Sequence, residues 1–170
     1  DDRPFCLCIL TKQELYDSAK TKIKLESKIA SNGIDYSSIS EQRSVGGAAY
    51  KTVSKTDFKY DAQGNETQGK VFPTYGSDGE KEIIQNDYTY NALGQQTKKD
   101  VTLDSAKNPS SNRTYTEEEI TYDSFGNCLS TTDENGLVTK TSYDPETGEE
   151  KETIEAAGTE YESKDLSLIH

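Results

Sequence analysis

An all-β fold of successive antiparallel hairpins, making an extended, curved sheet, is predicted for this chain from three observations. A short tyrosine-centred unit recurs four times between Phe58 and Gly148. Apolar and polar residues alternate ahead of the turn in the first three copies, with Thr141 and Tyr143 in the same places in the fourth, the period-2 mark of a half-buried strand. The few core-forming residues are mostly of the types that suit a pleated surface.

Composition sets the bounds. The chain has 170 residues, 31% of them hydrophobic, and carries a formal net charge of -12. So acidic and so poor in Leu, Ile, Val and Phe, it borders on the composition of disordered chains. The 11 tyrosines point the other way, because each can bury a large ring while its hydroxyl stays wet. Acidity of this size argues against partnership with nucleic acid or anionic lipid, whose phosphates it would repel. No apolar run reaches the length of a membrane span. The sequence holds no methionine and is read as a fragment or processed piece of something longer.

Taken in chain order, residues 1–56 form a leading β-rich segment. "FCLCIL", Phe5 to Leu10, reads as a buried strand in which Cys6 and Cys8 act as small apolar side chains. "KIKLESKIA" from Lys22 spaces Ile23, Leu25 and Ile29 evenly and reads as a strand, with a short helix as the alternative. "SVGGAAY", Ser44 to Tyr50, reads as a flexible crossing into the repeats.

Residues 57–155 form the hairpin array. The four copies are "FKYDAQGN" from Phe58, "YTYNALGQ" from Tyr88, "ITYDSFGN" from Ile120 and "TSYDPETGE" from Thr141. Their shared tyrosines, Tyr60, Tyr90, Tyr122 and Tyr143, are 30, 32 and 21 residues apart. "LYDSAK" from Leu15 reads as a decayed fifth copy, on which nothing further is built. An Asp or Asn at the first corner and a Gly at the fourth predict type I turns closed by a glycine of positive φ, at Asp61 to Gly64, Asn91 to Gly94 and Asp123 to Gly126. Asp144 to Gly148 has one residue more and carries Pro145 at its first corner. The Asp or Asn side chain is expected to accept a backbone N–H two residues on, and Asn65 and Asn127 to begin the returning strands. A further turn is expected at Asp133 to Gly136. The connections "YGSDGEKE" from Tyr75 and "DSAKNPSSNR" from Asp104 are expected to project as loops. Residues 156–170 read as the terminal segment of a truncated further repeat.

The spacing Tyr-Asp-x-x-Gly-Asn resembles the YD repeats of RHS-type proteins, which include bacterial wall-associated proteins, polymorphic toxins, the shells of insecticidal toxin complexes and the animal teneurins. The match rests on Tyr60-Asp61-Gly64-Asn65, Tyr90-Asn91-Gly94-Gln95, Tyr122-Asp123-Gly126-Asn127 and Tyr143-Asp144-Gly148, roughly residues 57–155. Asn91 and Gln95 depart from the pattern. So do Glu66, Gln96 and Glu150, where the family often has an apolar residue. The resemblance implies a section of a hollow shell of hairpins, with the leading segment in the same shell, belonging to a secreted or cell-surface bacterial protein. The partners it implies are the remainder of the shell and an enclosed toxin domain. The alternative is a carbohydrate- or receptor-binding adhesion module with glycans as partners.

No catalytic, cofactor or metal site is expected, and the reading is not an enzyme. His170 is the only histidine, so no Ser-His-Asp or Cys-His set can be assembled. Cys6, Cys8 and Cys128 lack the further ligands a metal needs. Glu117 to Glu119 read as a strand with Glu118 on the opposite face from its neighbours, a solvated surface. "DENG" from Asp133 and "DAQGN" from Asp61 lack the alternating ligands and closing Glu of a calcium loop. Asn65 and Asn112 stand in glycosylation sequons. The repeat tyrosines are expected to bury against the next hairpin.

Overall fold

The computed structural model describes residues 12–16, 22–30, 33, 35–44, 47–73, 75–76, 79–80 and 82–166. "FCLCIL", with Cys6 and Cys8, lies outside the described residues, as does the turn of the decayed copy after Tyr16. The described structure is all-β. Its one helical turn is a 3-10 turn at Pro109–Ser111, and no helix is long and apolar enough to cross a membrane. The chain divides into two compact units, Asp1–Gln85 with Leu103–Arg113, and Asn86–Thr102 with Thr114–His170.

The first unit carries β1 (Lys12–Tyr16), β2 (Lys22–Ile29), β3 (Tyr36–Ser44), β4 (Lys51–Tyr60) and β5 (Glu66–Phe72), hydrogen-bonded in chain order. Every pairing is antiparallel, from Leu15↔Ile23 through Leu25↔Glu41 and Ile39↔Thr56 to Phe58↔Gly69. "KIKLESKIA" is therefore a strand, β2, and its helical alternative does not form. β3 and β4 are direct neighbours, so "SVGGAAY" closes a hairpin and is no crossing. Ser44, 4% exposed, anchors that connection by donating from Oγ to the Ala48 carbonyl. "YGSDGEKE" is more than a loop. Tyr75–Gly76 (β6) and Gly79–Glu80 (β7) pair as a small ladder, Tyr75↔Glu80 and Gly76↔Gly79.

β8 (Glu82–Tyr90), β9 (Gln96–Ser105) and β10 (Arg113–Tyr122) belong chiefly to the second unit. They are followed by β11 (Cys128–Asp133), β12 (Val138–Tyr143), β13 (Glu150–Glu155) and β14 (Ser163–Leu166), again in chain order. The registers set threonine opposite threonine at Thr131↔Thr139 and Thr141↔Thr153, with Ile120 opposite Thr131 and Asp165 opposite Thr153. β-branched residues favour this pleated setting, and Thr141 and Thr153 also join their hydroxyls at 3.3 Å. The connection after Asp104 is tied at its root. Asn112 accepts the Ser105 N–H at 2.7 Å and donates to Asp104 at 2.9 Å.

Little is deeply buried. Among the described residues only Phe72, Val101, Gly69, Ser38 and Ser44 are buried. Strand faces are half-covered instead, and lysine stems help to cover them: Lys55 and Lys70 hold their ammonium groups 5.8 and 5.5 Å from the Phe72 ring centre.

Candidate functional site

The sequence singles out the recurring turn, and the structure shows one local design used repeatedly. Asp61, Asn91 and Asp123 each donate the backbone N–H to the carbonyl four residues on, at 2.9, 2.9 and 3.0 Å. Each accepts the N–H of the glycine three residues on, at 3.3, 3.0 and 3.2 Å. Gly64, Gly94 and Gly126 have φ of +93°, +78° and +92°. This is the three-residue hairpin loop in which a type I turn ends on a left-handed glycine and forms a bulge. Asp133 to Gly136 repeats it, with Gly136 at φ +79°.

The side chain at the first corner does more than the sequence suggests. Oδ1 of Asp61, Asn91, Asp123 and Asp133 accepts the N–H two residues on and also the N–H four residues on, all at 2.8–3.0 Å. Asn65 and Asn127, expected only to begin a strand, also close the turn: their Nδ2 groups donate to the second carboxylate oxygen of Asp61 and Asp123, each at 2.9 Å. The amide of Asn65, ahead of the backbone donors, holds the Asp61 carboxyl below its ordinary value. At Asp123 desolvation acts upward, but the Asn127 amide and the backbone donors outweigh it, and the carboxyl is lowered. In the longer turn Asp144 accepts the Glu146 and Thr147 N–H groups at 2.8 and 3.0 Å, and Gly148 has φ +73°.

Ladder register slips by one at Lys59/Tyr60, Thr121/Tyr122 and Ser142/Tyr143. The bulge thus falls on the repeat tyrosine and re-aims its ring. Tyr60 donates its hydroxyl to the Tyr36 carbonyl at 2.9 Å, Tyr122 to Gln96 at 2.9 Å and Tyr143 to Cys128 at 3.0 Å. Each acceptor is the first residue of a returning strand in the preceding hairpin of its own unit. The tyrosines are half-buried, and these bonds run to the preceding hairpin rather than the next one. Tyr90 ends β8 as the equivalent residue of the second copy.

The hairpin that provides the Tyr36 carbonyl went unmarked in the sequence because it lacks the Tyr-Asp pair. Its turn is one residue wider but closes on a similar glycine: Ala30 donates to the Asp35 carbonyl, five residues on, at 2.7 Å, accepts the Gly33 N–H at 3.0 Å, and Gly33 has φ +74°. The dipeptide Asn32-Gly33 was the signal available for it.

The remaining candidate residues are engaged in structure. Glu117 pairs with Lys99, and Glu118 accepts from Gln96 at 3.2 Å. Cys128 is half-buried, and burial pushes its thiol up. Among the described residues no group of three or more His, Cys, Asp or Glu is arranged to hold a metal ion.

Site and fold together define an antiparallel hairpin array whose repeated feature is a pinned turn. No family model matches the chain, and no curated protein does. Among solved structures it is similar to one described as the crystal structure of TcdB2-TccC3-Cdc42, at 12% identity and a TM-score of 0.29. That match covers 84% of this chain and 9% of the other, so the chain spans about a tenth of that protein's length.

Proposed function

We propose that the chain is a structural section of an RHS-type YD-repeat shell in a secreted or surface-exposed bacterial protein, whose whole encloses or presents a toxin or effector domain. The role is mechanical rather than catalytic. One observation carries the reading: the repeat tyrosine joins its hairpin to the one before it, through Tyr60–Tyr36, Tyr122–Gln96 and Tyr143–Cys128. A bond of this kind serves to lay hairpins side by side. It uses the side chain that the Tyr-Asp-x-x-Gly-Asn spacing repeats, and it gives that spacing a structural purpose.

Electron microscopy of the parent open reading frame tests the proposal, with an epitope inserted between Lys107 and Ser111. The expected result is a hollow particle whose wall binds the antibody and whose interior domain resists protease until the wall is breached. A solid or rod-like particle, or a downstream domain cleaved as fast as when free, would overturn it. A second reading, an adhesion module for carbohydrate or receptor, draws on Tyr161, whose ring stands 76% exposed. Saturable glycan binding lost in Tyr161→Ala would favour that reading.

A further inference from the structure

Between the turns at Asp123 to Gly126 and Asp144 to Gly148, both in the second unit, lies a cleft of about 500 Å³, lined by Phe125, Leu129, Tyr143, Pro145 and the carboxylates of Asp123, Asp144 and Glu146. Its two walls differ. Phe125 is 87% exposed, held there by the turn, because its N–H is fastened to Asp123 at 2.8 Å. Leu129, partly exposed on β11, adds apolar surface. The Tyr143 hydroxyl is already committed to the Cys128 carbonyl, so this residue offers the cleft its ring.

The mouth is acidic. Backbone N–H groups bind Asp123 and Asp144 as carboxylates, and both are held below their ordinary values, with Lys151 contributing at Asp144. A neutral apolar guest would desolvate these charges without compensation. An anion would be repelled, by the cleft and by a chain of net charge -12. A long cationic side chain fits both features: its methylenes lie on Leu129 and Pro145 while its charge sits among the carboxylates. Arginine fits better than lysine, since its planar guanidinium stacks on a ring and offers several donors at once. The corresponding corner residues are Gln63, Leu93 and Asn135 in the other turns of this design, so the exposed ring belongs to this cleft alone among the four.

We propose that this cleft binds an arginine side chain of a basic polypeptide segment, stacked on Phe125 and paired with Glu146 and Asp144 at the mouth. The proposal does not depend on the shell reading.

Nitrogen-labelled 170-residue chain is titrated with the acetylated, amidated peptide Gly-Arg-Gly-Gly-Arg-Gly and followed by two-dimensional NMR. The control peptide has both arginines replaced by neutral citrulline. Saturable shifts centred on Phe125, Leu129 and Gly148, weakened by salt, are expected for the arginine peptide only. Phe125→Gln, which installs the residue of the first turn and preserves folding, should weaken binding roughly three- to fivefold. Glu146→Gln should weaken it as well, while Glu160→Gln, away from the cleft, should not. Equal binding of the citrulline peptide, an unchanged affinity in Phe125→Gln, or an equal loss in Glu160→Gln would overturn the proposal. So would a neutral oligosaccharide that shifts the same residues at lower concentration.

Discussion

Gln95, the last residue of the second turn, donates from Nε2 to the carbonyl of Gly126 in the third turn at 2.8 Å. Its Oε1 meanwhile accepts from Asn91 at 3.0 Å. Asparagine at the same place in the first and third turns spends its amide on the Asp of its own turn. The departure from the repeat pattern is thus a bond from one turn to the next: a side chain one methylene longer, opposite an Asn that reverses the donor and acceptor roles.

Gln95→Asn is expected to keep the local closure and lose the bond to Gly126, at a cost of about 1 kcal/mol. Urea unfolding compared with the parent measures it. An unchanged midpoint would mean that the Gln95–Gly126 bond adds nothing to stability.

Gly64 and Gly126 share nearly the same φ, +93° and +92°, but not the same surroundings. A Cβ at Gly64 meets nothing within 4 Å, whereas one at Gly126 comes 3.2 Å from Gln95 Nε2. Alanine at either site takes on left-handed strain of about 1–2 kcal/mol. Gly126→Ala should be the more destabilising, because Gln95 must also move, and combining it with Gln95→Asn should narrow the difference. Denaturation midpoints of the four proteins decide this.

Tyr122→Phe and Tyr143→Phe should each destabilise by about 1 kcal/mol through loss of the hydroxyl–carbonyl bond. Burial raises both phenols above their ordinary value. The folded state therefore holds these protons more tightly, and the stability they contribute is present below the unfolded value and lost as pH rises through the folded one. Urea midpoints at about pH 8 and about pH 11 should diverge less in the Phe variants than in the parent.

Acid acts on the turns with the opposite sign. Asp61, Asp123, Asp133 and Asp144 are all lowered. Their contribution is present above the ordinary carboxylate range and lost as pH falls through and below it. Asn91 already fills this corner with the same two Oδ1 bonds. The double variant Asp61→Asn, Asp123→Asn should thus fold at neutral pH and show a shallower loss of stability in acid, read by circular dichroism.

The connection between β9 and β10 should open when its tie is cut. Asn112→Ala removes the bonds to Ser105 and Asp104, and trypsin cleavage after Lys107 is expected to speed up roughly fivefold. Mass spectrometry of the early fragments gives the rate.

The turns were legible in the sequence because their determinants are local. An Asp and a Gly three residues apart suffice to set the corner, and alternation around Tyr60 or Tyr122 suffices to set the strand. What the tyrosine binds was not legible: the Gln96 carbonyl lies 26 residues before Tyr122, and backbone acceptors carry no residue signature. The bulge that aims the ring follows from the left-handed glycine, yet it shows only in the paired register Tyr122↔Cys128. The first hairpins were read poorly for a related reason. The turn from Ala30 to Asp35 lacks the Tyr-Asp pair, and its backbone bonds from Ala30 to Asp35 and from Gly33 to Ala30 leave no such mark in the sequence.

The tyrosine bonds also have a direction. In each of the three, the donor lies in the later hairpin and the acceptor is a backbone carbonyl already made. A hairpin emerging during synthesis therefore finds its anchor on finished chain and needs nothing downstream to be placed. Such an array is completed from its N-terminal side by successive local closures, each over a few dozen residues at most. The closure entropy stays small at every step, so the length of the whole array does not slow its growth.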